Sequence, residues 1–126
     1  MHAIAAVALA VFLLAVGVAH FVFPRYFRSL VPSWIGPVGS AGPVVAVSGA
    51  AEIAVAALVL LPGSRTAGGW AAAVLVTAYL ASHLDALRNA RAGHPSPLRR
   101  PVGAAARLAV NLGHLGWALA VALAPA

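Results

Sequence analysis

The chain has 126 residues, of which 63% are hydrophobic and only 8% charged, with a net charge of +6. That charged fraction is too small to cover a water-soluble domain of this length. The absence of cysteine excludes disulfides, thiol relays, iron–sulfur clusters and thiolate metal sites from this chain.

Four apolar runs, Ala3–Phe23, Val44–Leu61, Ala67–Leu84 and Val102–Ala124, organise the chain. Each is near the roughly 20 residues that cross about 30 Å of hydrocarbon. The expected fold is all-α. It is a bundle of four transmembrane helices, at about 3–23, 43–62, 67–87 and 102–124, forming one integral membrane domain over 1–126. The first run is expected to be a transmembrane helix and not a secretory signal. Only Met1 and His2 precede it, and Phe-Pro-Arg-Tyr-Phe follows in place of a small-residue cleavage site.

The first connection, Pro24–Gly42, is rich in proline, glycine and aromatics. Its prolines prevent a long helix. Phe27, Leu30, Val31, Trp34 and Ile35 suit a short interfacial segment that caps the bundle, with Tyr26 and Trp34 at head-group level. The second connection, Pro62–Thr66, is a tight turn that makes the second and third helices antiparallel neighbours. The third, Asn89–Pro101, is basic and contains proline, and His94 lies in it without a motif.

All eight basic residues are arginine. Arg25, Arg28, Arg88, Arg91, Arg99, Arg100 and Arg107 fall on one side of the expected topology and Arg65 alone on the other. The positive-inside rule then places the first and third connections in the cytoplasm and both termini outside. Attraction to anionic lipid head groups accounts for the basic charge more simply than nucleic acid does, so no nucleic-acid partner is expected. Trp70 and Trp117 are read as interfacial anchors. Small residues such as Gly49, Gly68, Gly69, Gly113 and Gly116 permit close helix contact.

Glu52 is one of only two acidic residues, and it lies inside the second apolar run. Carboxylates in the bilayer core are usually paired and mark substrate or proton pathways. At 1.5 Å per residue Glu52 lies roughly 13 Å from the cytoplasmic end of its helix, and Asn111 and His114 roughly 12 and 16 Å deep in the fourth. His20, His83 and Asp85 are shallower on the same side. Ser48 and Glu52 share a helix face, so the hydroxyl is expected to donate to the carboxylate. Arg107, Asn111 and His114 form a second stripe, Tyr79 and His83 a third, and Ser82 and Asp85 a fourth. Asp85 with Arg88 is read as a surface ion pair at a helix end. The expected picture is a polar pocket in one half of the bilayer, opening towards the first connection.

A carboxyl and one or two imidazoles in a low-dielectric pocket suit proton transfer. The candidate catalytic residues are therefore Glu52, His20 and His114. The candidate ligand-binding residues are Ser48, Asn111, Phe21, Phe27, Trp34, Tyr79 and His83. No nucleophile elbow, HExxH spacing or phosphate-binding glycine pattern is present, and no metal site is expected. Two histidines on different helices could serve as axial ligands of a haem, but the sequence does not position them well enough to favour it.

Three segments, GVAHFVFPRYFRSLVPSWIGP (17–37), VSGAAEIAVAALVLLPGSRTAGG (47–69) and RRPVGAAARLAVNL (99–112), together resemble the DoxX-like family of small four-helix membrane proteins. The family's His-Phe pair corresponds to His20 and Phe21, and its Pro-x-x-Phe to Pro24 and Phe27. Its Val-Pro corresponds to Val31 and Pro32, and its Ser-Gly-x-x-Glu to Ser48, Gly49 and Glu52. Where relatives commonly show Pro-Ala-Asn at the end of the third helix, this chain reads Leu80-Ala81-Ser82-His83.

The resemblance implies a quinone-reactive or redox-associated role, with location expected in a bacterial cytoplasmic membrane. By architecture alone, a four-helix membrane bundle with buried Glu and His is also similar to the sterol-isomerase type. Three readings compete. The first is a pocket for a small quinone- or isoprenoid-like molecule with proton handling by Glu52 and a histidine. The second is a cofactor-free acid–base enzyme that isomerises, cyclises or opens an epoxide. The third is a non-catalytic subunit or scaffold of a membrane redox complex. The expected partners are the bilayer, a small hydrophobic ligand, and a second copy or a membrane subunit.

Overall fold

The computed structural model describes residues 1–35 and 38–125, and it is all helical among them. Four long helices, α1 (His2–Val22), α3 (Val38–Leu60), α4 (Arg65–Arg88) and α5 (Pro101–Ala122), are joined by a short helix, α2 (Pro24–Arg28), and three 3-10 turns. Three helical segments, His2–Val22, Ser40–Leu60 and Pro62–Arg88, are long and apolar enough to cross a membrane, which is the make-up of an integral membrane protein. The segment holding α5, which carries Arg107, Asn111 and His114, is not among those three.

Proline sets several of the boundaries. Pro24 disfavours helical backbone at Phe23, whose φ of −121° and ψ of 56° break the chain between α1 and α2. Pro101 opens α5 at a position where a missing N–H costs nothing. Pro43 departs from the expected pattern. It falls inside α3, and more than a turn of helix precedes it, so the second long helix starts earlier than the apolar run. The carbonyl end of α3 is closed by side chains. Ser64 Oγ donates to the Leu58 carbonyl at 2.9 Å and Arg65 Nε to that of Val59 at 3.2 Å.

The long helices pack in a ring in which α1 meets α3, α3 meets α4, α4 meets α5 and α5 returns to α1. Glycine lets two of these contacts close. A Cβ at Gly69 would stand 2.6 Å from the Ala122 backbone nitrogen, so α4 and α5 touch backbone to backbone there. At Gly49 a Cβ would stand 2.7 Å from His20 Cβ and 3.0 Å from the Gly17 carbonyl, which makes this the crossing of α1 and α3.

The packed core occupies the end of the ring remote from every arginine but Arg65. Leu9 and Leu13 of α1, Val55 and Val59 of α3, Ala72 of α4 and Val121 of α5 meet there with almost no exposed surface. Trp117 packs against this core and its indole Nε1 donates to the Ala5 carbonyl at 3.0 Å. It ties α5 to the first turns of α1.

Candidate functional site

Towards the opposite end the ring opens into a cavity of about 400 Å³, within the usual range for small-molecule sites. All five α-helices contribute to its wall. Most of the lining is apolar, including Phe12, Val16, Leu30, Val31, Val44, Val45 and Val76. Against it stand two polar groups, one supplied by α1, α3 and α4 and the other by α4 and α5.

The first group is His20, Ser48, Glu52 and Tyr79. The glycine crossing of α1 and α3 lies one turn from His20 on one helix and three residues before Glu52 on the other. It therefore brings the two side chains together with 6% and 2% exposure. His20 Nδ1 lies 2.8 Å from the Val16 carbonyl and 3.4 Å from Glu52 Oε2. A carbonyl only accepts, so Nδ1 carries the proton, and in the neutral ring Nε2 is left as an acceptor. The imidazole is held flat by Phe27 of α2, stacked with centroids 3.8 Å apart.

Tyr79 of α4 brings its hydroxyl beside Glu52 and Ser48. Neither Tyr79 Oη nor Glu52 Oε2 completes a hydrogen bond among the described residues. The expected donation from Ser48 therefore does not satisfy Oε2: the hydroxyl lies by Tyr79 instead. Buried polar atoms are nearly always partnered, and these two, a phenol donor beside a carboxylate acceptor, can serve each other or a guest group on the cavity wall.

The second group is His83, Asn111 and His114, all on the wall of the cavity. His83 has Arg107, Asn111 and His114 as polar neighbours, and its Nδ1 is a third buried atom without a partner. Asn111 Nδ2 donates to the Val76 carbonyl at 3.2 Å, which fixes the α5 stripe against α4. His114 packs on Phe12 with ring centroids 4.5 Å apart.

A strap formed by α2 and the residues up to Ile35 covers the open end, with Tyr26, Phe27, Leu30, Val31 and Pro32 on the cavity side. Polar contacts hold it down. Ser82 Oγ donates to the Leu30 carbonyl and Arg99 to the Ser29 carbonyl. The backbone N–H and hydroxyl of Ser33 donate to Asp85 at 3.1 and 3.0 Å. Asp85 thus fastens the strap and is not an ion-pair partner of Arg88, as was expected; Asn89 Nδ2 supplies its third donor at 3.1 Å. Asp85→Ala should lower stability by about 1–3 kcal/mol, the scale of hydrogen bonds to a charged group. Asp85→Asn should recover only part of that in a detergent melt, because an amide offers one acceptor oxygen where the carboxylate uses two.

Of the ten sequence candidates, eight line one cavity: His20, Phe27, Ser48, Glu52, Tyr79, His83, Asn111 and His114. Phe21 and Trp34 do not. They are 52% and 68% exposed and face outward, Phe21 because it follows His20 on α1 and the next position lies about 100° round the helix. Phe12, Val16, Tyr26, Val45 and Val76 are lining residues that sequence reasoning missed as site residues. Nothing distinguishes an apolar residue that lines a cavity from one that fills a core. Among the described residues no group of three or more His, Asp or Glu side chains converges as metal ligands would.

No curated protein and no solved structure matches the chain. Residues 9–122, which span every element of the cavity, match a family described as a domain of unknown function, DUF8561, and the chain belongs to that family.

Proposed function

We propose that the chain is a four-transmembrane-helix protein, DoxX-like in type, whose cavity binds a small apolar molecule, quinone- or isoprenoid-like, and exchanges protons with it through Glu52 and His20. The observation that carries this reading is the pair of orphaned atoms, Glu52 Oε2 and Tyr79 Oη, buried on the wall of a largely apolar cavity. An ionised carboxylate left in hydrocarbon costs on the order of 3 kcal/mol on insertion scales, so its placement there needs a functional reason. The apolar body of the ligand lies against Val16, Val45 and Val76, while its polar group meets Glu52 and Tyr79. His20, held in one tautomer by Val16, offers Nε2 as the base. His83, Asn111 and His114 orient the far end of the ligand.

The test is thermal stabilisation of the protein in neutral detergent by a panel of quinones, isoprenoids and apolar epoxides. The expected result is a saturable shift with at least one class that Glu52→Gln reduces. A panel that shifts neither protein, or both equally, would overturn the reading.

The orientation follows from the arginines. Arg25, Arg28, Arg88, Arg91, Arg99 and Arg100 all belong to the strap end, where α1, α3, α4 and α5 bring their connections together. That end is proposed to be cytoplasmic, with both termini outside. A reporter active only outside the cytoplasm, fused after Ala126, should be active; a cytoplasmic signal there would reverse the orientation.

A further inference from the structure

A second, smaller pocket of about 130 Å³ adjoins the cavity at the strap end. Its wall is polar: Ser29, Ser33, Ser82, His94, Arg99 and Arg107 line it, together with Asp85 and Asn89. Leu30, Val31 and Ser82 line both spaces and form the partition between them.

The charges in this pocket are unevenly met. Asp85 is engaged by Ser33 and Asn89, as above. Arg99 donates to the Ser29 carbonyl and Arg107 Nη2 to Ser82 Oγ at 3.3 Å, both neutral acceptors. Among the described residues the one basic side chain within 4 Å of a carboxylate is His20, beside Glu52, so neither guanidinium lies within salt-bridge distance of one. Each guanidinium has five N–H donors in a fixed fork, and the contacts above use one on each. The imidazole adds another donor. The Ser96 backbone N–H donates to His94 Nδ1 at 3.0 Å, so Nδ1 is the unprotonated nitrogen and Nε2 carries the hydrogen.

Two guanidiniums without a carboxylate partner and an imidazole N–H around a space of this size form a receptor for a tetrahedral oxyanion; the hydroxyls of Ser29, Ser33 and Ser82 are spent on Tyr26, Asp85 and Leu30 and add no donor. Arginine forks match phosphate geometry, and partial burial between the strap and α5 strengthens the attraction. Asp85 opposes it, but its carboxylate oxygens are turned to the Ser33 and Asn89 donors.

We propose that this pocket is a phosphate site. The phosphate is either free in solution or the head of an amphiphile whose hydrocarbon reaches the apolar cavity across the Leu30–Val31–Ser82 partition. The site itself stands without the cavity ligand; only the amphiphile source rests on the reading of the cavity given above.

The experiment is a thermal melt of the full chain in neutral maltoside detergent, with inorganic phosphate, dodecyl phosphate or dodecanol as probes and sodium chloride at matched ionic strength as reference. Inorganic phosphate is expected to stabilise the wild type saturably beyond chloride. Arg99→Gln with Arg107→Gln should weaken its apparent Kd by about tenfold or more. Arg107→Lys should retain part of the affinity and guards against a mere folding defect, with helicity followed by circular dichroism. Glu52→Gln should leave the phosphate response intact, so a failure of the cavity reading would not erase it. A larger shift from dodecyl phosphate than from phosphate and dodecanol together supports the site and names the amphiphile as source. Equal shifts from the two phosphates support it with free phosphate as source. A phosphate shift no greater than that of chloride, or one unchanged by the double substitution, would overturn the proposal.

Discussion

Gly49→Ala is expected to destabilise the protein by about 1–3 kcal/mol and to part His20 from Glu52. The added methyl would stand 2.7 Å from His20 Cβ, 2.9 Å from the Phe21 ring and 3.0 Å from the Gly17 carbonyl. Two of those neighbours are backbone or Cβ atoms with no rotamer to yield, so α1 must move away from α3. His20 Nδ1 and Glu52 Oε2 are already 3.4 Å apart, and any separation removes their contact. A melt in detergent measures the first effect, and loss of ligand-induced stabilisation the second. Gly113→Ala is the control. A Cβ there meets nothing within 4 Å, so the substitution should be neutral or should raise stability by up to about 1 kcal/mol through helix propensity.

Glu52→Gln is expected to leave the fold intact and to cut conversion of the bound molecule by about 10², the usual scale of a lost general acid or base. Glutamine keeps the volume but cannot carry a transferable proton. Glu52→Leu is expected to be as stable as the wild type or more so, while being equally inactive. The reason is that Glu52 Oε2 completes no hydrogen bond, its His20 contact being long at 3.4 Å, and an apolar side chain suits the rest of the wall. Function at the expense of stability is the pattern of an active residue. A scaffold role predicts the reverse order, with Glu52→Leu the damaging change. Turnover and melts on the same three proteins decide between them.

The ring of helices was legible because long apolar runs show helices directly, and three of the helical segments have the length and apolarity that a membrane demands. The four runs reappear as α1, α3, α4 and α5. Their ends were less legible. Pro43 reads as a start signal, yet α3 continues through it back to Val38.

The polar half of the candidate site was legible for the same reason that it is costly: in an apolar chain each of His20, Glu52, Asn111 and His114 stands out. Pairing within the site was not. Spacing along one helix put Ser48 with Glu52 and Asp85 with Arg88, because neighbours on one face are all that a single helix reveals. Contacts across helices took precedence, with His20 reaching Glu52, and Ser33 reaching Asp85 over a separation of 52 residues. The apolar wall was invisible, and so was the anion pocket. His94, Arg99 and Ser29 become neighbours only when the strap folds over the end of α4.

The most direct measurement of proton exchange at Glu52 is an infrared difference spectrum in the carboxyl C=O stretching region. It is recorded with and without the compound that gives the largest thermal shift. Binding is predicted to change a carboxyl band that is absent from Glu52→Gln, with a further change in that band when His20 is replaced by alanine. A wild-type difference spectrum indistinguishable from that of Glu52→Gln would contradict it.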